Sequence, residues 1–309
     1  MASQTLRAYR ERALYRLLAV LTALGRRIPL RVGQRLGRGL GWLAWHLVRK
    51  ERRKALANIR IAFPEWSEEK REETVRAMFR HFGTSVFEIA WLWNMDPAIR
   101  GQFTEYEGAE AVLEYLDRGE GIVMITAHCG NWEWLAIAVG LLGRPTSVLQ
   151  RERDNPRMNR YIIDFRALSG VQTIDRGSPT SAREMIRAVK CGGILAFLID
   201  QNLRTESVRV PFFGQPALTP VGPAKLAIRT EAVVMLAFAE RRPDGSHLIR
   251  FLDPIKCNRD DDPIALTARL TLKIEEQIRR VPEQWVWLHD RWRARPKWDV
   301  TPEEPDQRD

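Results

Sequence analysis

The chain has 309 residues, 45% hydrophobic and 28% charged, which is enough apolar material for a sizeable core in one large or two smaller domains. Its three cysteines form no C-x-x-C pair, so neither a disulfide framework nor a zinc site is expected, and a reducing compartment fits. The net charge of +10 comes from residues 1–60, which hold 15 Lys or Arg against two acids. This asymmetry is associated with an anionic surface, either a membrane or a nucleic acid.

The first predicted element is an amphipathic helix over residues 3–25, with leucines on one side and arginines on the other. Its longest uncharged apolar run, residues 17–24, is far shorter than the roughly 20 residues that span a bilayer. The pattern predicts an interfacial anchor on anionic lipid, and the alternative is a solvated basic face on a core helix.

The next predicted helices carry a stripe of small residues and a strongly basic segment. They are predicted over residues 30–48, 49–60, 67–81 and 85–93. Gly33, Gly37 and Gly41 repeat at four-residue intervals in the first of them, a spacing that permits close helix approach. The helix at 49–60 is strongly basic.

From residue 103 onwards, predicted strands alternate with predicted helices. Strands are predicted at 121–127, 145–150, 171–174, 192–199, 232–239 and 247–252, and helices at 108–118, 131–142, 155–168, 179–190, 221–230 and 264–280. Such alternation predicts βαβ units, and therefore an α/β fold with a mostly parallel sheet flanked by helices. We expect a basic helical region at 1–100 packed on the core, an α/β domain at 101–299 and a disordered tail at 300–309.

The strand at 121–127 leads into the most informative stretch of the chain. It ends at His128, Gly130 gives a tight turn, and Asn131 is a good N-cap for the helix that follows. Glu133 lies in the first turn of that helix, so its carboxylate can fold back towards the imidazole. This geometry suits a His general base that is oriented by an acid.

Two other features of the sequence compete with this motif. The spacing His-x4-Glu also occurs at His46, but no strand or turn precedes it, and we interpret His46 as a helix-face histidine. Cys129 is a possible nucleophile beside His128. Adjacent residues at a strand end point in opposite directions, however, so Cys129 is predicted to be a buried small residue.

Polar residues also follow two other predicted strands. Asp200 and Gln201 directly end the strand at 192–199, while Arg151 and Asn155 follow the strand at 145–150. Because the carboxyl ends of parallel strands share one edge of the sheet, these groups are expected to converge with His128.

The motifs together resemble the bacterial lipid A biosynthesis acyltransferase family, which includes lauroyl and myristoyl transferases, phosphatidylinositol mannoside acyltransferases and lysophospholipid acyltransferase-like proteins. Five ordered motifs carry the resemblance over residues 120–295: His128-Cys-Gly-Asn-Trp-Glu133, Asn155-Pro156 through Arg166 and Gly170, Asp200-Gln201, Val210-Pro-Phe-Phe-Gly214 with Thr219 and Gly222, and Glu283 to Trp292.

The resemblance implies acyl transfer from an acyl thioester to a lipid hydroxyl. It implies that His128 removes the proton of the acceptor hydroxyl, that Glu133 sets the tautomer of His128, and that Asp200 and Arg166 lie in the site. Further candidates, for substrate binding, are Asn131, Arg151, Asn155, Gln201, Arg204, Phe212, Phe213, Gly214 and His289. For the loop that contains Phe212 to Gly214, the alternatives are an acyl-channel lining and an ordinary packed loop.

The resemblance requires neither a metal nor a bound cofactor, and implies a donor that is either an acyl carrier protein thioester or acyl-CoA. The acceptor could be a lipid A precursor, a glycosylated phosphoinositide or a lysophospholipid. We expect peripheral or single-anchor attachment to an anionic membrane, at the cytoplasmic face of the bacterial inner membrane. The alternative function is a non-catalytic lipid-surface binding protein on the same scaffold. Nucleic-acid binding is disfavoured because no RNA-binding aromatic signature or zinc-finger spacing occurs.

Overall fold

The computed structural model describes residues 15, 16, 20, 22, 23, 28–93, 100–152, 155–292 and 299–301. Most of the predicted helix at 3–25 and of the predicted tail at 300–309 therefore lies outside the described residues. Val300, at the start of that tail, donates its backbone N–H to Ser207 O at 2.8 Å, so this described part of the tail is hydrogen-bonded to the α/β domain.

The described elements follow the predicted alternation closely. The helices are α1 (Leu30–Leu47), α2 (Arg49–Ala62), α3 (Glu68–Leu92), α4 (Ala109–Asp117), α5 (Trp132–Gly140), α6 (Pro156–Ala167), α7 (Ser181–Lys190), α8 (Gly222–Thr230) and α9 (Pro263–Arg280). The strands are β1 (Thr104–Glu107), β2 (Ile122–Thr126), β3 (Thr146–Gln150), β4 (Val171–Asp175), β5 (Ile194–Leu198), β6 (Ser207–Phe212), β7 (Gln215–Pro220), β8 (Val233–Arg241) and β9 (His247–Phe251). All six predicted strands and the six predicted helices between 108 and 280 are confirmed.

A seven-stranded sheet in the order β1-β9-β8-β2-β5-β3-β4 forms the centre of the molecule, and only the β8–β9 pair in it is antiparallel. The predicted α/β fold with a mostly parallel sheet is thus confirmed. Strand β2 is buried along its whole length, as expected for a strand with neighbours on both edges and helices on both faces. Helices α2 and α3 share one apolar core with this sheet, through residues such as Ile59, Val75 and Met78.

Three strands are absent from the prediction, and their sequences explain why. Strand β1, Thr104-Glu-Tyr-Glu107, is short and mostly exposed at the edge of the sheet, so it lacks an apolar signal. The β6–β7 hairpin contains Pro211, Pro216 and Pro220, residues that argue against a strand unless it has a free edge. Its two strands form a separate small sheet, where each has such an edge.

The prediction of separate helices at 67–81 and 85–93 was wrong, because α3 runs unbroken through Gly83. Gly83 is needed inside the helix for packing rather than for a break. A Cβ built on Gly37 of α1 would lie 2.6 Å from Gly83 O and 2.7 Å from Thr84 Cα. The glycine stripe of α1 therefore lets the two helix backbones touch, as its spacing predicts.

We expect Gly37→Ala to lower the free energy of unfolding by about 1–3 kcal/mol, because the added methyl group would force α1 and α3 apart. Gly39→Ala is the matched control on the same helix. A Cβ at Gly39 meets no atom within 4 Å, and alanine is the better helix former by about 1 kcal/mol. Urea denaturation of both variants measures the difference. Equal stability of the two variants would contradict the close packing of α1 on α3.

Helix α1 also presents an apolar stripe to solvent. Its members are Val32, Leu36, Leu40, Leu43 and Leu47, all exposed. Within the described ranges, no helix is both long enough and apolar enough to cross a membrane.

Candidate active site

A cavity of about 930 Å³ opens at the carboxyl ends of β2, β3 and β5, where parallel sheets place their ligands. The polar part of its wall is formed by His128, Glu133, Gln150, Arg151, Glu152, Asn155, Arg166, Arg176, Gln201, Asn202, Arg204 and Thr205. The apolar part is formed by residues that include Leu149, Met158, Met185, Phe197, Ile199, Leu203, Pro223 and Leu226. One cavity thus offers both charged groups and a hydrocarbon lining.

His128 and Asp200 are brought together by the register of β2 and β5. These strands are parallel neighbours with Thr126 opposite Leu198, and each functional residue lies two positions farther along its strand. The two residues are therefore adjacent across the sheet edge. His128 Nδ1 lies 2.8 Å from Asp200 Oδ1, and the backbone N–H of His128 donates to Asp200 Oδ2 at 2.8 Å.

Asp200 is held as a carboxylate. It is 1% exposed, and burial alone would raise its pKa, but the charge of His128 and hydrogen bonds from His128 and Trp285 lower it overall. The Trp285 indole N–H donates to Asp200 Oδ2 at 2.8 Å. Because an ionised carboxylate can only accept, His128 Nδ1 must carry the hydrogen. In the neutral form of the ring, which carries one hydrogen only, the lone pair of Nε2 is then available to take a proton.

Glu133 has a different partner from the one that the sequence predicts. Its two carboxylate oxygens accept hydrogen bonds from Arg166 Nε at 2.9 Å and Nη2 at 2.7 Å. Arg166 Nη1 also donates to Gln150 Oε1 at 2.7 Å. The carboxylate that contacts His128 Nδ1 is therefore that of Asp200, while Glu133 and Arg166 form a buried bidentate ion pair in the cavity wall.

Three further arginines belong to the wall of the cavity. Arg151, Arg176 and Arg204 line the cavity together with Asn155 and Gln201. Burial, and then the nearby charge of Arg151, lower the pKa of Arg176, which indicates that two guanidinium groups lie close together there. Asn155 itself caps α6, since its side chain accepts hydrogen bonds from the backbone N–H groups of Arg157 and Met158.

Comparison with known proteins identifies the scaffold. Residues 2–294 match the family model for bacterial lipid A biosynthesis acyltransferases. The chain is 30% identical over 275 residues to the lipid A biosynthesis lauroyltransferase of Escherichia coli (strain K12), covering 87% of this chain and 88% of that protein. The chain belongs to the bacterial lipid A biosynthesis acyltransferase family.

Two further relatives show the breadth of this acyltransferase family. A lipid A biosynthesis acyltransferase of Haemophilus influenzae is 29% identical over 277 residues, covering 87% of this chain and 86% of that protein. A phosphatidylinositol mannoside acyltransferase of Mycobacterium tuberculosis is 28% identical over 194 residues, or 59% of each chain. The resemblance stated from the motifs is confirmed, and the protein is a lipid acyltransferase by family.

Among the candidates for substrate binding, several lie outside the wall of the cavity that holds His128. Asn131 is 2% exposed and caps α5, with its side chain accepting from the N–H of Trp134. Phe212 is the last residue of β6 and Phe213 is a turn residue with φ +52°, and both are buried in the aromatic core around Trp285 and Trp287. Of the two alternatives for this segment, an acyl-channel lining and an ordinary packed loop, the packed loop describes these two phenylalanines.

Gly214 and His289 have structural partners of their own. Gly214 has φ +70° in the β6–β7 turn, a conformation that glycine adopts readily. His289 Nε2 accepts the backbone N–H of Asn202 at 2.8 Å, which requires a neutral ring, and burial lowers the His289 pKa accordingly. His289 thus fixes the backbone beside Gln201 rather than lining the cavity.

Trp285 and Arg176 are among the residues at the site that the sequence prediction did not include. Trp285 lies in the tryptophan-rich motif near the carboxyl terminus, but its contact with Asp200 depends on a long-range approach of the chain. Arg176 follows β4 directly, so the strand-end rule that selected Arg151 could have selected it as well.

Neither a thiol nucleophile nor a metal centre is supported in the described residues. Cys129 is 1% exposed, and burial raises its pKa, so it remains a buried thiol as predicted. Within the described ranges, no group of three or more His, Cys, Asp or Glu side chains is arranged to hold a metal ion.

Proposed function

We propose that this protein transfers a fatty acyl chain from an acyl thioester to a hydroxyl group of a membrane lipid, with His128 as the general base. The observation that carries the proposal is the His128–Asp200–Trp285 hydrogen-bonded chain at the edge of a cavity with charged and apolar walls. A neutral imidazole held by a carboxylate at Nδ1 has the geometry of a general base.

In the proposed reaction, the acceptor hydroxyl oxygen attacks the carbonyl carbon of the thioester, and its proton passes to His128 Nε2. The imidazolium that forms is stabilised by the Asp200 carboxylate. The C–S bond then breaks, an ester remains on the acceptor, and the thiolate of the donor takes the proton back from Nε2. The acyl group is already activated as a thioester, so the reaction requires no further reactant.

The walls of the cavity suggest how the two substrates are held. Met185, Phe197 and Leu226 belong to an apolar lining that suits a hydrocarbon chain. Arg151, Arg176 and Arg204 suit a phosphate group. Either an acyl carrier protein or coenzyme A as donor, or a phosphorylated lipid as acceptor, would bring such a group to the site.

We place the protein at the cytoplasmic face of the bacterial inner membrane, with the helical region at 1–100 as the membrane-associating part and the α/β domain at 101–299 as the catalytic part. The exposed leucines of α1 and the basic composition of residues 1–60 support this location.

Transfer of a labelled acyl chain from acyl carrier protein or coenzyme A to a panel of lipid acceptors tests the reaction. The panel should include a lipid A precursor, a glycosylated phosphoinositide and a lysophospholipid. We expect transfer to one of these acceptors. No transfer to any of them, with vesicle binding intact, would favour a non-catalytic lipid-binding protein.

Within that assay, Arg176→Gln is expected to raise the KM of the phosphate-bearing substrate by about tenfold or more, with kcat much less affected, because one charged contact to phosphate is lost. The matched control is Arg183→Gln, which removes an exposed arginine from α7 outside the cavity wall. Separate titration of donor and acceptor shows which substrate carries the phosphate. An unchanged KM for both would remove Arg176 from the binding site.

A further inference from the structure

A second cavity, of about 420 Å³, lies between α1, α3 and the turn that joins β8 to β9. We define the arginine cavity by the six arginines in its wall: Arg31, Arg35, Arg38, Arg80, Arg241 and Arg242. Asp244 and Glu283 are the carboxylates in the same wall. None of the arginines belongs to the cavity that holds His128.

The positive charge of the arginine cavity is only partly balanced. Arg241 is paired with the buried Glu88, and Arg242 Nη1 donates to Glu105 Oε2 at 2.6 Å. Counting these two acids with the two in the wall, six arginines face four carboxylates. Arg35, Arg38 and Arg80 are exposed, and they form no ion pair or side-chain hydrogen bond with another described residue.

The fold itself brings these like charges together. Arg80 lies on α3 at a close contact between that helix and α1, since a Cβ on Gly41 would lie 2.6 Å from Arg80 Cα. Arg38 lies one helical turn before Gly41 on α1. The glycine contact thus places guanidinium groups from two helices around one opening, and their summed positive potential attracts anions.

The floor of the arginine cavity is fixed by a buried hydrogen-bonded network. Arg241 donates to Glu88 Oε1 at 2.7 Å and to Ser85 Oγ at 2.7 Å, and it also donates to His81 Nδ1. Burial and the charge of Arg241 lower the His81 pKa, so the ring is neutral. Because Arg241 can only donate, the His81 proton lies on Nε2, which donates to Gly130 O at 3.1 Å.

This network sets the position of the arginine cavity relative to the catalytic turn. Gly130 and Asn131 follow His128 by two and three residues, and the Asn131 side-chain N–H donates to Glu88 Oε2 at 2.8 Å. The floor of the arginine cavity is therefore hydrogen-bonded to the turn that follows β2. Two other residues of that turn, His128 and Trp132, line the first cavity, which we call the substrate cavity. The two cavities contact the same turn through different residues.

We propose that the arginine cavity is a second anion site, which binds a phosphate group through Arg35, Arg38 and Arg80. Planar guanidinium groups bind phosphate oxygens in pairs, and three of them around one opening match the three or four oxygens of a phosphate. The phosphate can belong to a soluble ligand or to the headgroup of an anionic phospholipid, and in both cases the guanidinium groups would bind its non-bridging oxygens.

The test measures binding by the full chain in the Arg176→Gln background, which weakens anion binding in the substrate cavity. Calorimetry with inorganic phosphate and with sn-glycerol 3-phosphate probes the soluble form. Co-sedimentation with phosphatidylcholine vesicles, with and without phosphatidylglycerol, probes the headgroup. The key variant is R35Q/R38Q/R80Q, whose three substitutions are all at exposed positions.

The matched control is R183Q/R187Q/K190Q on α7, which removes the same charge from exposed positions of a helix that packs on β4 and β5. We expect the α1–α3 variant to lose at least tenfold in affinity and the α7 variant to stay within twofold. A loss seen with the soluble phosphates assigns a soluble ligand, and a loss seen only with phosphatidylglycerol vesicles assigns the headgroup.

Two results would overturn the second anion site. The first is absence of binding of every probe to the Arg176→Gln protein. The second is equal affinity of the α1–α3 and α7 variants, which would mean that anion binding depends on the overall charge of the protein and not on these three arginines. Because acyl transfer is not the readout, either result leaves the proposed catalytic function untouched.

Discussion

Asp200→Asn is expected to reduce kcat for acyl transfer by about a thousandfold or more while the fold persists. Two donors, the His128 backbone N–H and the Trp285 indole, converge on Asp200 Oδ2 and would hold the amide oxygen of the asparagine there. Its NH2 group would then face His128 Nδ1 and donate to it. The imidazole hydrogen would move to Nε2, the nitrogen that has to accept a proton from the substrate.

The measurement is a steady-state comparison of wild type, Asp200→Asn and Trp285→Phe, with circular dichroism as the check on folding. Trp285→Phe removes one donor to Oδ2 but leaves Nδ1 paired with the carboxylate, so its effect on kcat should be much smaller. If Asp200→Asn retained more than a tenth of wild-type activity, the assignment of Asp200 as the residue that sets the His128 tautomer would fail.

The second large effect concerns stability. Glu133→Ala or Arg166→Ala is each expected to lower the free energy of unfolding by about 3–5 kcal/mol, because each leaves a buried charge without its bidentate partner. The side chains of both residues are only 10% exposed, so water can replace little of the lost interaction. The double variant should cost far less than the sum of the two single changes.

Guanidinium denaturation of the four proteins gives the interaction energy of this pair through a double-mutant cycle. The matched control is the exposed pair of Arg160 and Asp164 on α6, the helix that also carries Arg166. For this pair, a coupling energy of about 0.5 kcal/mol or less is expected. Additive effects for Glu133 and Arg166 would contradict a direct ion pair and would reopen an orienting role for Glu133 at His128.

Much of the fold could be predicted from the sequence, because most of the strands have strong local sequence signals. The β2 segment is continuously apolar and β-branched, it is followed by a glycine turn and an N-cap, and the structure has a buried strand and a helix there. The end of a strand is set by the residues next to it in the sequence, so the position of His128 at a strand end could be predicted.

The convergence of strand ends at one sheet edge predicts Asp200 near His128, but the choice of Asp200 rather than Glu133 as the partner of His128 Nδ1 could not be predicted in the same way. The acid at Nδ1, Asp200, follows the end of β5 and lies 72 residues later in the chain, and the contact arises because β2 and β5 are neighbours in the order of the sheet. Glu133 is closer in sequence, but it faces Arg166, a residue on α6. The order of the strands in the sheet depends on how distant segments of the chain pack together. The local sequence pattern around His128 therefore does not predict it.

The apolar segment at Phe212 and Phe213 illustrates a different limit. Hydrophobic residues in a loop can line a channel or fill a core, and their composition is the same in both cases. The structure buries both rings among Trp285, Trp287 and Trp292. Phe212 packs against Trp285, the residue that donates to Asp200.

The most direct test of the proposed mechanism is single-turnover acyl transfer by His128→Ala, with His46→Ala as the matched control. Both histidines begin a His-x4-Glu pattern, but His46 is an exposed residue of α1 that stacks edge-on against Trp42. We predict that His128→Ala transfers the acyl chain about a thousandfold more slowly or worse, and that His46→Ala equals wild type. Equal rates for His128→Ala and wild type would contradict His128 as the general base.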